Sequence, residues 1–189
     1  MTKTLNLLFH PDFGRSKANA ALAAATARMG GVETIDMYAL YPDGIEMNRD
    51  GEAEVARLLQ ADRIILQFPV QWYSTPPLLK AWQDVVLTRM FYVAYEAEGR
   101  HLEGTPLKII ATAGNMRAAY GPSGRNMFSM TELFAPLRAT AHRCGLTWSE
   151  PFILYEANTR SREELDVTAA AYIDTLQCWI AATPAKEAA

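Results

Sequence analysis

The segment Phe68-Pro69-Val70-Gln71-Trp72-Tyr73-Ser74-Thr75-Pro76-Pro77-Leu78-Leu79-Lys80-Ala81-Trp82 sets aromatic rings, an amide and hydroxyls between rigid prolines. It follows an apolar run, Arg63-Ile64-Ile65-Leu66-Gln67, that reads as a buried strand, and it leads into an apolar-periodic helix from Leu78 to Val86. In an α/β sheet, ligands bind at the carboxyl ends of the strands. Backbone N–H groups of Pro69-flanked Val70, Gln71, Trp72 and Tyr73, with the Trp72 ring beside them, suit a flat ligand with a polar edge. An isoalloxazine ring is such a ligand, and fixed donors around it would tune the electron density it takes up in hydride transfer. A core turn in which Trp72 and Tyr73 only pack is the alternative.

Two further stretches carry chemistry of the same kind. His10-Pro11-Asp12-Phe13-Gly14-Arg15-Ser16-Lys17-Ala18-Asn19 brings a hydroxyl, a cation and several backbone N–H groups to the start of a helix. That combination suits an anion such as a phosphate. The alternative is a simple Ser16 N-cap with a solvated Lys17, and His10 alone reads as a structural hydrogen-bonding residue. Thr112-Ala113-Gly114-Asn115-Met116-Arg117 continues through Tyr120 to Asn126. Gly114 permits close approach of backbone to a ligand. Tyr120 offers a hydroxyl, Asn126 an amide, and Arg117 and Arg125 could meet a nucleotide phosphate or stand solvated. His10, His101 and His142 show no metal-ligand spacing, and no metal is expected.

These stretches need a scaffold, and the rest of the chain supplies one. It has 189 residues, 50% hydrophobic and 21% charged, with a formal net charge of −3. That is ordinary for one globular domain and gives no basic field for nucleic acid. Cys144 and Cys178 stand far apart in predicted helices, which argues against a disulfide framework or zinc site and for two buried small hydrophobes. The first residues are too short an apolar run for a signal peptide or membrane span, so a soluble, cytoplasmic protein is the default expectation. Predicted strands run Leu5–Phe9, Val32–Asp36, Arg63–Phe68, Leu107–Ala113 and Phe152–Tyr155. Predicted helices run Lys17–Met29, Glu52–Gln60, Leu78–Val86, Glu132–Cys144 and Ser161 to about Ala182, the last with a Ser161/Glu164 capping box. Met90 to Tyr95 reads as aromatic and irregular. Strands alternating with helices argue for a five-stranded parallel sheet covered on both faces. One domain, residues 1–182, with strand order 2-1-3-4-5 is expected, and residues 183–189 read as a disordered tail. No GxGxxG follows strand one, and no Walker phosphate loop is present.

The three loops resemble those of the NAD(P)H:quinone oxidoreductase family, whose members have a flavodoxin-like fold. The resemblance covers nearly the whole chain. It rests on Phe68-Pro69-Val70-Gln71-Trp72-Tyr73, Pro76-Pro77-Leu78-Leu79-Lys80 and Trp82; on Ser16-Lys17-Ala18-Asn19; and on Thr112-Ala113-Gly114-Asn115 with Tyr120. Leu40-Tyr41-Pro42-Asp43, Gln71-Trp72-Tyr73-Ser74 and Cys144-Gly145-Leu146-Thr147-Trp148 look most similar to the ancillary oxidoreductases of glutathione-gated potassium efflux (Kef) systems.

The resemblance implies a homodimer with a flavin at the interface, FMN or alternatively FAD, and NADPH or NADH as hydride donor. It implies Ser16, Ala18 and Asn19 at the flavin phosphate with His10 nearby, and Pro69, Val70, Gln71, Trp72 and Tyr73 along the isoalloxazine and ribityl. Thr112, Gly114 and Asn115 would sit along the pyrimidine side. Tyr120 and Asn126 would be catalytic, Trp72 and Tyr120 would shape the substrate pocket, and Phe91, Tyr92 or Tyr95 would close the substrate pocket of the neighbouring subunit. The implied activity is two-electron ping-pong transfer from NAD(P)H to a quinone or similar electrophile. A regulatory subunit of a potassium-efflux antiporter, peripheral at the inner face of the cell membrane, and a flavodoxin-type electron carrier are the alternatives. Three departures stand out. Asn115 replaces a second family Gly, Asn126 stands where a His is usual and cannot become a cation, and Met90-Phe91-Tyr92-Val93 replaces a Gly-aromatic-Ala-Tyr segment.

Overall fold

A computed structural model describes residues 3–183 and residue 185. Of the predicted tail, Thr183 belongs to the folded part, where its hydroxyl and carbonyl oxygens accept from Arg63. The other tail residues except Ala185 lie outside the described residues.

Four strands form a parallel sheet in the order β2-β1-β3-β4: β1 Thr4–Leu8, β2 Val32–Asp36, β3 Arg63–Pro69 and β4 Pro106–Thr112. The fifth position differs from expectation. Two short strands, β5 Thr147–Trp148 and β6 Phe152–Leu154, pair with successive halves of β4, so the sheet has six strands among the described residues. The break falls at Ser149-Glu150-Pro151, where Pro151 has no N–H for the ladder. There Lys108 reaches across instead, its Nζ donating to the Glu150 carbonyl at 2.7 Å.

Strand alternation divides the core between the two faces of the sheet. Leu5, Leu7, Ile64, Leu66, Phe68, Ile109 and Ala111 face one side. They pack under α3 (Met47–Leu59), α4 (Pro77–Trp82) and α6 (Ala135–Arg143). Ile65, Ile110 and Leu154 face the other side, under α1 (Ala18–Thr26) and α7 (Arg162–Ala182). Short helices α2 (Met37–Leu40) and α5 (Met130–Leu133) complete the set.

Local chemistry explains where the helices differ from expectation. Ser16 accepts the Asn19 N–H at 3.2 Å, as an N-cap does, but α1 ends at Thr26, short of Met29. The helix expected from Glu132 is two helices, with Phe134 between them and a Ser129/Glu132 capping box starting the first. The Ser161/Glu164 box forms as expected. The chain after α4 is not irregular: it continues through two π-helical turns, Gln83–Leu87 and Arg89–Val93. Arg89 clasps Glu98 through bonds of 2.7 to 3.1 Å, and Gly99 abuts the Met90 carbonyl, where a Cβ would lie 2.4 Å away. Cys144 is buried as expected, and burial pushes its thiol up to about 11, whereas Cys178 is exposed on α7. Among the described residues, no helix is long and apolar enough to cross a membrane, and no cluster of His, Cys, Asp or Glu is placed to hold a metal ion.

Candidate functional site

The first loop leaves β1 and enters α1. His10, Asp12, Arg15, Ser16, Lys17, Ala18 and Asn19 line a cleft there, with Pro69, Thr112, Ala157 and Asn158 opposite. The Ser16 hydroxyl takes the Asn19 N–H, and among the described residues the N–H groups of Lys17 and Ala18 have no protein acceptor. Unpaired donors at a helix start are an anion site. The His10 Nδ1 accepts the Asp12 N–H at 3.1 Å, which places the proton of the neutral ring on Nε2. Burial holds His10 below its ordinary range, opposed by the charges of Asp12 and Asp36.

The second loop leaves β3. The Val70 N–H donates to the Thr112 carbonyl at 2.8 Å, and Gln71 and Ser74 exchange both backbone bonds at 3.0 Å. Of the four N–H groups expected to face a ligand, only those of Trp72 and Tyr73 remain unengaged among the described residues. Both residues are left-handed, with φ of 44° and 67°. That conformation costs about 1–2 kcal/mol for each non-glycine residue, and such strain concentrates at ligand sites. Trp72 is 92% exposed, so packing in the core, the alternative reading, does not explain it.

The third loop leaves β4 and is anchored by the chain after β6. The Ala113 N–H donates to the Leu154 carbonyl at 2.8 Å, the Ala157 N–H to Ala113 at 3.0 Å, and the Glu156 N–H to Asn115 at 3.1 Å. Gly114 lies against Asn158, whose Nδ2 would stand 3.0 Å from an added Cβ. Further on, the Asn126 N–H closes onto the Ala119 carbonyl at 2.8 Å. The Asn126 side chain is buried, its Oδ1 3.5 Å from the Tyr73 hydroxyl and its Nδ2 without a partner among the described residues. Tyr120 packs its ring on Tyr155 at 5.7 Å; burial first, then Tyr155 and Tyr73, raise its hydroxyl above the ordinary range. It is therefore a proton donor throughout neutral pH. Arg117 lies over the Tyr155 ring at 5.9 Å, so it is engaged with the chain after β6.

Direct bonds tie the loops together. Asn19 Nδ2 donates to Thr112 Oγ1 at 2.9 Å, joining the first to the third; Val70 joins the second to the third at its base, and Tyr73 meets Asn126 farther out. Asn19 itself is 1% exposed, with its carboxamide engaged by Thr112 and Gln67. Phe91, Tyr92 and Tyr95 do not reach this cleft. Phe91 is 5% exposed within the core, Tyr92 lies under Arg143 at 5.1 Å, and the Tyr95 hydroxyl donates to Glu103 at 2.7 Å. Sequence reasoning missed Gln67, Ala157 and Asn158; the last two follow a strand on the ligand side, a position that could have marked them.

Comparisons with known proteins match the fold of the chain. The family described as Flavodoxin-like fold matches residues 2–176. A glutathione-regulated potassium-efflux system ancillary protein, KefF of Klebsiella pneumoniae (strain 342), is 38% identical over 170 residues, covering 90% of this chain and 92% of that one. The crystal structure of general stress protein 14 from Treponema denticola in complex with FMN is 29% identical, with a TM-score of 0.81 over 93% of this chain and 98% of that chain. An NADPH-quinone reductase from P. pentosaceus is 28% identical, with a TM-score of 0.76 over 90% of this chain and 95% of that chain.

Proposed function

The chain belongs to the Flavodoxin-like fold family, and from that premise we propose that it is an FMN-dependent NAD(P)H:quinone oxidoreductase. One observation carries the reading: hydrogen bonds from Asn19 and Val70 to Thr112 tie the loop with the unengaged donors at the start of α1 to the loop with the strained Trp72–Tyr73 turn. The residues fit a flavin mononucleotide. Ser16, Lys17 and Ala18 offer an anion-type donor set for its phosphate, and the orphaned Asn126 amide offers a donor where a buried group needs a partner. Pro69, Trp72 and Tyr73 would flank the ring, with Thr112, Gly114 and Asn115 along its far edge. When bound, FMN supplies two-electron hydride chemistry.

This chain's own residues orient and stabilise. Tyr120 holds its proton and can donate it as a hydrogen bond to charge developing beside it. Asn126 gives a neutral donor, so its contribution does not titrate. The exposed side chains of Trp72, Met127 and Phe128 on two of the loops, and of Tyr92 and Val93 beyond α4, suit burial against a second copy. In that homodimer, Tyr92 would face the other subunit's cleft. Residues 3–183, with Thr183 held by Arg63, would form the flavin-binding domain.

FMN rather than FAD follows the Treponema denticola neighbour, and NADPH as donor follows the P. pentosaceus one. The likeness to KefF favours a second reading, in which the same protein also docks on a potassium-efflux antiporter. Denaturing the purified protein and chromatographing the released cofactor tests the proposal: FMN is expected, and a protein that neither releases FMN nor takes it up overturns it. Initial rates with NADPH and a benzoquinone should give the parallel double-reciprocal lines of a ping-pong order.

A further inference from the structure

Beneath the cleft, buried amides and hydroxyls cross the sheet on the face covered by α1 and α7. Gln67 and Asn6 are 0% exposed, Asn19 1% and Thr112 4%. Gln67 Nε2 lies 3.0 Å from the Asn19 backbone carbonyl. A carbonyl only accepts, so the Gln67 nitrogen faces α1 and its oxygen faces Asn6, whose Nδ2 donates to it at 2.8 Å. The same nitrogen stands 3.3 Å from the Asn19 side chain, which must present Oδ1 to it. Asn19 Nδ2 is then left to donate to Thr112 Oγ1 at 2.9 Å. The sense of the whole chain is set by one backbone carbonyl. Its consequence falls on Thr112, whose oxygen accepts inside the protein, so that its own proton is free to point elsewhere. Thr112 lines the cleft.

We propose that Gln67 is a positioning residue which, through Asn19, fixes the Thr112 hydroxyl as a proton donor to an oxygen acceptor of the ligand in the cleft. The proposal rests on the FMN reading. Gln67 touches no ligand; it acts by holding the Asn19 carboxamide in one of its two orientations. Without it, Asn19 is free to turn its oxygen to Thr112, which would then direct its proton inward. Such a chain is cooperative, so its members act as a unit rather than independently.

A double-mutant cycle tests this. FMN dissociation constants are measured by quenching of flavin fluorescence for Gln67→Met, Thr112→Val and the double variant, with thermal melts of each apoprotein alongside. Each single change should weaken binding about tenfold, the loss of one hydrogen bond. The double should weaken it no further, and Thr112→Ser should restore affinity near that of the native chain. Independent losses, about a hundredfold in the double, or native affinity in Gln67→Met, would overturn the proposal. A second measurement needs no variant: in the unaltered protein, the Thr112 hydroxyl proton should become protected from solvent exchange in NMR when FMN is added. A proton that stays in fast exchange contradicts the proposal. Failure of the unaltered apoprotein to take up FMN removes the flavin reading and the Thr112 role together, whereas FMN uptake with independent losses removes only the role of Gln67.

Discussion

Ser16→Asp separates what the first loop does for the fold from what it does for a ligand. Ser16 accepts the Asn19 N–H at 3.2 Å, and aspartate caps a helix as well as serine does. A negative charge at this end of α1 adds about 0.3–1 kcal/mol through the helix dipole. A domain of this size shifts by about 2–4 °C per kcal/mol, so the apoprotein should melt at the native temperature or up to about 4 °C above it. The ligand sees the reverse. Two like unit charges about 4 Å apart repel by about 1 kcal/mol in water and about 4 kcal/mol at an effective dielectric constant of 20. Ser16 is half-buried, between these limits. FMN affinity should therefore fall by between about fivefold and about a thousandfold. Riboflavin has no phosphate, and its affinity should stay close to that for the native protein. Thermal melts of the apoprotein and parallel fluorescence titrations with FMN and riboflavin measure all three quantities. Unchanged FMN affinity would take the phosphate away from α1. Equal losses for FMN and riboflavin would show that Ser16 matters through loop shape and not through charge.

Three other outcomes follow from the structure. Tyr120→Phe should lower kcat on the order of a hundredfold, the lower end of what removing one fixed donor costs, while FMN affinity holds; unaltered steady-state kinetics would make Tyr120 a packing residue. Glu54 is fully buried and accepts from the Tyr41 hydroxyl at 2.7 Å, Trp82 Nε1 at 2.8 Å and Arg57 Nε at 3.0 Å. Glu54→Ala orphans all three and should cost about 3–5 kcal/mol, a fall in melting temperature of about 6–20 °C; a fall under about 2 °C would refute that accounting. His10 is held below its ordinary value by burial, so its contribution to stability is complete above about pH 6.5 and is lost as pH falls through the lowered value. Denaturant midpoints between pH 7 and 5 should decline less steeply in His10→Asn than in the native protein, and parallel curves would exclude this role.

Much of the fold was legible because its strands are apolar runs closed by turn residues, and because both Ser161 and Glu164 announce α7. The split of the fifth strand position was harder to see. Phe152-Ile153-Leu154 reads as one strand, and nothing local says that Thr147-Trp148 extends the same edge before Pro151 interrupts it. The π-helical turns were illegible for a related reason: Arg89 with Glu98, and Gly99 against Met90, are tertiary contacts that shape the segment from outside it. In the site, the loops themselves stood out by composition. The division of labour within them did not. Val70 and Gln71 look like ligand donors until their N–H groups are seen paired with Thr112 and Ser74. Asn19 looks like a phosphate ligand until its amide is found engaged by Gln67 and Thr112. Polar residues at alternate positions of otherwise apolar strands, Asn6 and Gln67, were the available signal for that buried chain, because a polar group inside a sheet needs a partner.

Anaerobic spectroscopy tests the central claim most directly. Purified under native conditions or reconstituted with FMN, the protein should show a flavin spectrum whose visible band bleaches on adding one equivalent of NADPH and returns on adding one equivalent of a benzoquinone. A protein that takes up no flavin, or whose bound flavin stays oxidised in excess NADPH and NADH, would contradict the account.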